Sequence, residues 1–200
     1  VCHYAHMESL AKTLDHGLAV YNDEKEEFER LKALDMDDLW RFPAQAHPFR
    51  HREGDVEYLY FGQVFPTVRV KADWKSYLDP ASYEGFARVD GGSGCGWRRD
   101  ARPESGEAEQ KRIAAGKMNA NEAHFLPIDV DSGKPVLMHR GSVRWNAHRK
   151  RWILLAGQIG GTSNLGEIWY SEADAPTGPW RNAKKIVTHD RYSFYNPVHH

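Results

Sequence analysis

The stretch GSVRWNAHRKRWILLAGQIGGTSNLGEIWYSEADAPTGPW, residues 141–180, decides the fold. GSVRWN (141–146) opens a strand, and His148-Arg149-Lys150 makes a polar turn. RWILLAGQ (151–158) is a strongly apolar strand. IGGTSNLG (159–166) is a loop, and EIWYSEA (167–173) is a third strand. DAPTGPW (174–180) turns the chain with two prolines and a glycine. NAKKIVT (182–188) supplies a fourth strand, and SFYNPVHH (193–200) begins another unit.

Upstream, the pattern repeats in degenerate form. AHPFRH (46–51) starts a strand, and Glu53-Gly54-Asp55 is a turn signal. VEYLYFGQ (56–63) is β-rich and breaks at Phe65-Pro66. TVRVKAD (67–73) then alternates Val68, Val70 and Ala72 against Arg69, Lys71 and Asp73. Both units read as three strands in the same order with a polar turn after the first, and YNPVHH echoes AHPFRH. A repeat of ~50 residues is the length of a propeller blade. The expected fold class is therefore all-β, made of β-propeller blades of antiparallel strands, with short N-terminal helices. The expected organisation is a single partial propeller over 1–200. Blade-like units cover about 44–86 and 136–190, and the next blade starts near 193. Blades bury their faces against neighbours, so further blades are needed to close a ring, and both chain ends read as cut.

The remaining segments are less regular. MESLAKTLDH (7–16) reads as a short helix stopped at Gly17, and LAVY (18–21) as a strand. Asn22-Asp23 is a turn, and EKEEFERLKALDM (24–36) is a helix or a strand with Phe28 packed inward. Residues 90–107 form a glycine-rich and polar loop without the GK[ST] of a phosphate cradle. EAEQKRIAAGKM (107–118) is a short helix or a turn into a strand. Leu126–Val130 is a short strand, and DSGK (131–134) is a hairpin-type turn before PVLMHR (135–140).

Bulk properties narrow the partners. The formal net charge is −1, with 27 basic and 28 acidic residues and no basic run, so a nucleic-acid partner is not expected. No apolar run reaches the ~20 residues of a membrane span. Seven Trp, nine Tyr and eight Phe suit both β packing and stacking on sugars. Cys2 and Cys95 do not make a disulfide framework and are read as unpaired.

EIWYSEADAPTGPW (167–180) resembles the third strand and exit turn of a blade in the five-bladed β-propeller glycoside hydrolases, which include arabinanase, β-xylosidase and invertase-like enzymes. The resemblance is good over about 141–200 and fair over 44–86. It implies five blades in the full-length protein and an active-site funnel at one end of the ring axis. It also implies a carbohydrate ligand, glycoside hydrolase-like action on a poly- or oligosaccharide, and an extracytoplasmic (secreted or periplasmic) location. The alternative is a non-catalytic propeller that binds carbohydrate or another ligand. No cofactor is expected beyond a structural calcium ion at the propeller axis. Hydrolysis in that family uses carboxylates with separated pKa values, set on the inner strands. Here the inner-strand openings are Ala46-His47-Pro48, Gly141-Ser142-Val143 and Tyr195-Asn196-Pro197, and none carries the aspartate. Asp79-Pro80 follows an outer strand and reads as a turn.

Individual residues then divide between chemistry and scaffold. The catalytic candidates are Glu167, Glu122 and Asp23. Glu167 opens a strand beside a glycine loop and is either a cleft carboxylate or an edge charge. Glu122, in NANEAHF, is an acid or a solvated loop carboxylate, and Asp23 is a site residue or a turn residue. The binding candidates begin with His47 and His199, which either meet near the axis around a hydroxyl or a metal, or serve as hydrogen-bonded core histidines. No HExxH or CxxC spacing supports a metal. Arg69 and Arg140 are donors to sugar hydroxyls or a uronate carboxylate, or members of structural ion pairs. Asn146 and Asn196 bond hydroxyls or loop backbone. Trp145 and Trp169 are stacking platforms if exposed.

Overall fold

A computed structural model describes residues 1–43, 48–89 and 94–199, and these form an all-β assembly of three antiparallel sheets. Each sheet is a meander in which consecutive strands are neighbours. The first contains β1 (Cys2–Ser9), β2 (Lys12–Asn22) and β3 (Glu27–Leu34). The second contains β4 (Phe49–Glu53), β5 (Val56–Phe61), β6 (Val68–Lys71), β7 (Glu84–Arg88) and β8 (Cys95–Arg98). The third contains β9 (Met138–Asn146), β10 (Arg151–Gln158), β11 (Glu167–Ala173) and β12 (Arg181–Thr188). One α-helix interrupts the second meander, and another lies between the second and the third. Helix α1 (Trp74–Leu78) is capped by Asp73, whose carboxylate accepts from Ser76 N at 2.8 Å. Helix α2 (Gly106–Ala114) is capped by Ser105, which accepts from Ala108 N at 3.2 Å.

The N-terminal helices are not formed, and β1–β3 stand in their place. His16-Gly17 is strand interior, not a helix stop. Gly17 pairs with Tyr4 on one side and Ala33 on the other, and a Cβ there would strike the Lys32 carbonyl and the Tyr4 ring. Residues 27–34 have the composition of a helix, yet ladder pairing to β2 overrides that propensity. Phe28 points outward, 61% exposed, with its ring 5.1 Å from Tyr21.

The second sheet is longer than its sequence suggested. Glu84–Arg88 and Cys95–Arg98 add two strands, the latter inside the stretch read as loop. The helical alternative holds at 106–114. Leu126–Val130 contributes two isolated bridges, Ile128 to Pro135 and Asp129 to Ala183, and no full strand. Cys2 and Cys95 are both free.

Apolar clusters tie the sheets together in chain order. Leu18 and Phe42 pack with Val68, Val70 and Tyr83, joining the first sheet to the second. Phe65 and Phe86 pack with Val143, Trp152, Leu154, Trp169 and Trp180, joining the second to the third. Strand β10 is buried along most of its length, as its run of apolar residues requires. Edge strand β12 is largely exposed and carries Lys184 and Lys185, charges that oppose edge-to-edge pairing.

A histidine relay locks the first sheet. His16 is fully buried; its Nε2 donates to the Asp35 carbonyl at 2.6 Å, which leaves Nδ1 to accept from His3 Nε2 at 3.1 Å. His3 stacks on Phe42 at 5.0 Å. Burial, and then the neighbouring His16, lower the His3 pKa to about 4. The unfolded chain therefore binds a proton at His3 that the folded chain refuses. The stabilisation is complete above the ordinary imidazole value near 6.5 and is lost as pH falls from there through about 4. Chemical denaturation across pH 4–7 is expected to show this decline, and His3→Phe is expected to flatten it. An unchanged pH slope in the variant would contradict the assignment.

Candidate functional site

The candidate site lies at one end of the third sheet, where β9 and β11 begin and β10 and β12 finish. The β9–β10 ladder pairs Gly141 with Ala156 and Met138 with Gln158. His139 and Arg140 therefore stand opposite Gly157 alone. This β-bulge breaks the alternation of β9 and re-aims those two side chains. Gly157 also separates the two strands that carry the charged candidates. A Cβ on it would lie 3.9 Å from the Arg140 carbonyl and 3.8 Å from that of Glu167.

The chain after β12 crosses this end as a strap. His189 N donates to Gly166 O and Phe194 N to Leu165 O, both at 2.8 Å. Ser163 Oγ donates to His189 O at 2.7 Å. Tyr195 then comes within 5.7 Å of the His139 ring, and the Arg140 guanidinium lies 5.6 Å from the Tyr195 centroid. His199 N donates to Ser142 Oγ at 2.8 Å, so the strap continues along β9. A shallow hollow beside β9 is lined by Phe49, Phe61, Val64, Pro66 and Ser142.

Four of the residues read from sequence gather here with unused polar atoms. Glu167 is buried and its Oε1 accepts from Thr162 N, whereas Oε2 has no partner. Arg140 has Nε and Nη1 buried without a hydrogen-bond partner. Asn196, held at φ +48°, has a buried and unpartnered Oδ1, and His199 has an unpartnered Nδ1. Buried polar atoms are nearly always paired, so this grouping of unpartnered ones makes the sheet end the candidate site. Burial, with the Arg140 charge adding to it, holds His139 below the usual imidazole value and keeps it neutral.

The other candidates are placed elsewhere. Arg69 lies inside the second sheet, bonded through Nε to Glu84 (2.7 Å) and through Nη1 to Glu53 (2.6 Å). Its guanidinium also sits 4.2 Å from the Tyr58 centroid and 4.3 Å from that of Trp97. Trp169 is only 5% exposed, a core residue whose Nε1 donates to Gln158 Oε1 at 2.7 Å, so it offers no open ring face. Trp145 is 50% exposed but stands at the far end of β9, edge-on to Trp152 at 5.8 Å. Asn146 Oδ1 accepts from Arg149 N at 2.9 Å and shapes the β9–β10 turn. Glu122 is exposed and accepts from Asn119 N at 2.8 Å in a capping box. Asp23 is an exposed turn residue between β2 and β3. His47 lies outside the described residues. Among the described residues no group of three or more His, Cys, Asp or Glu side chains could hold a metal ion, and no calcium site is assigned.

Sequence reasoning missed His139 and Tyr195. The signal for both is the bulge, and a bulge is visible only once the register of β9 against β10 is known. The third sheet also holds no second carboxylate like Glu167. The other buried ones, Glu104 and Glu109, belong to α2 and its approach. Glu104 pairs with Arg112 and Arg88. Burial raises the Glu109 pKa even though its oxygens accept from His124 N and Phe125 N.

In comparisons with known proteins, no family model and no curated protein matches this chain.

Two stability outcomes follow from these placements. Replacing Arg69 by Met removes the cation bonded to Glu84 and leaves Glu53 with the Tyr60 hydroxyl, with a cost of about 2–3 kcal/mol expected from chemical denaturation. Part of the full penalty is relieved because Glu53 is 40% exposed. A Cβ at Gly161 would collide with the Glu167 carboxyl group. Gly161→Ala is therefore expected to destabilise by about 1–3 kcal/mol, and by clearly less in a Glu167→Ala background. Additive costs in that double-mutant cycle would separate the loop from the carboxylate.

Proposed function

We propose that this chain is part of a β-propeller that handles a poly- or oligosaccharide, with the ligand at the strapped end of the third sheet. Three meanders stacked in chain order support the propeller reading, because propeller blades are four-stranded meanders packed face to face. The likeness of 141–180 to glycoside hydrolase blades supports the substrate class, and an extracytoplasmic location follows from that class. The observation that carries the site is Glu167, a buried carboxylate with one oxygen held by backbone and the other unpartnered, on the same sheet end as an unpaired arginine.

In the glycoside hydrolase-like reading, Glu167 is one of the two carboxyl groups that such chemistry needs. The backbone N–H of Thr162 fixes its orientation, and the loop at Gly161–Thr162, which covers it, has to move aside for a substrate to reach it. The non-catalytic reading is favoured by one specific observation. Glu167 has no partner among the other buried carboxylates, which are engaged around α2. A lone carboxylate accepts sugar hydroxyls well, but does not by itself both protonate a leaving group and activate water.

The readings part in a hydrolysis screen on aryl glycosides and on plant and algal polysaccharides, with Glu167→Gln alongside. The hydrolase reading expects sugar release that falls by on the order of a hundredfold or more in the variant. Saccharide binding without release in the parent protein would establish the binding reading. Release that the variant leaves intact would remove Glu167 from the chemistry.

A further inference from the structure

Arg69, on the central strand of the second sheet, and Arg140, at the bulged end of edge strand β9, are treated oppositely by the fold. Arg69 is closed off by two carboxylates and two aromatic faces. Arg140 has no ion pair or hydrogen bond among the described residues, although Nε and Nη1 are both shielded from water. The guanidinium has two edges, each able to grip an oxyanion with two parallel N–H bonds, and Nε and Nη1 lie on different edges. Both edges are therefore unused. The guanidinium is partly buried and its one polarised neighbour is the Tyr195 ring, so an arriving anion would supply the counter-charge it lacks.

The strap that reaches Arg140 through Tyr195 restricts what carries the anion. Tyr195 presents a ring that is 58% exposed, a face on which a pyranose can lie. Asn196 Oδ1 and His199 Nδ1, farther along the same strap, are shielded and unpartnered, so a shift of the strap would expose two polar atoms to hydroxyl groups. The bulge aims Arg140 toward the strap that carries these residues.

We propose that the strapped end of the third sheet binds an acidic saccharide, with Arg140 as the residue that grips its anionic substituent. The substituent is an oxyanion on a sugar ring, a uronate carboxylate or a sulfate ester. The assignment rests on the carbohydrate reading above and adds charge selectivity to it. It holds whether the ligand is cleaved or only bound.

The test is calorimetric titration of the full protein with three probes of matched length: an oligogalacturonate, a sulfated oligosaccharide and a neutral oligosaccharide. The expected result is tighter binding of one anionic probe than of the neutral one, by at least about tenfold at low salt, narrowing as salt is added. Which anionic probe wins identifies the substituent. In Arg140→Gln the ratio of anionic to neutral affinity is expected to collapse toward one, and Arg140→Lys is expected to restore part of it, with unchanged thermal unfolding showing that both variants fold. Equal affinity of the parent protein for anionic and neutral probes overturns the charge assignment and leaves the carbohydrate reading standing. A preference that persists in Arg140→Gln assigns it to another group. Absence of binding to all three probes overturns both.

Discussion

Everything at the candidate site is registered from the pairing of β9 with β10, and that pairing is held by aromatic packing across the two larger sheets. Trp152 on β10 meets Phe49 at 5.1 Å and His51 at 4.9 Å on β4. Phe65, from the β5–β6 connection, packs against Trp180 and Phe125. These contacts bury the face of the third sheet that carries Trp152, Leu154 and Trp169 and hold it against the second. A slip of one residue would take Trp152, Leu154 and Ala156 off the second sheet and put the smaller Ile153 and Leu155 in their place, so the register is specified by the aromatic packing. The bulge at His139–Arg140, the position of Glu167 and the landing point of the strap all follow from that register.

The third sheet was the most legible part of the sequence. Its strands alternate or run apolar, and polar turns and a Pro-Gly turn punctuate them, so local pattern and tertiary role agree. The first sheet was illegible for the opposite reason. EKEEFERLKALDM carries charge on both faces and good helix formers, and only its partner β2 makes it a strand. His16-Gly17 has the look of a helix end, whereas the glycine is there because neighbouring backbone comes too close for a side chain. In the second sheet, β8 was hidden by its glycines.

The site shows the same division. Glu167 and Arg140 could be picked out because both stand at strand ends next to glycine-containing segments. Asn196 and His199 followed from the expected start of a new unit. Arg69 and Trp169 could not be told from ligand-binding residues, because an alternating strand does not say which neighbour faces which. In the structure Arg69 meets two carboxylates and Trp169 meets Gln158, and both are consumed by the scaffold. His139 and Tyr195 depend on a bulge and a returning strap, features set by pairing between distant residues.

The bulge gives this sheet a seam. Two residues of β9 stand opposite one of β10 at the sheet end, whereas the pairing from Gly141 to Asn146 is regular. Removing one residue at 139–140 would restore plain alternation at the end and leave the aromatic wall in place. Adding one would swing a different side chain beneath the strap. The side chains presented beneath the strap can therefore change by single-residue insertion or deletion at this point, while the core that holds the sheets together keeps its register.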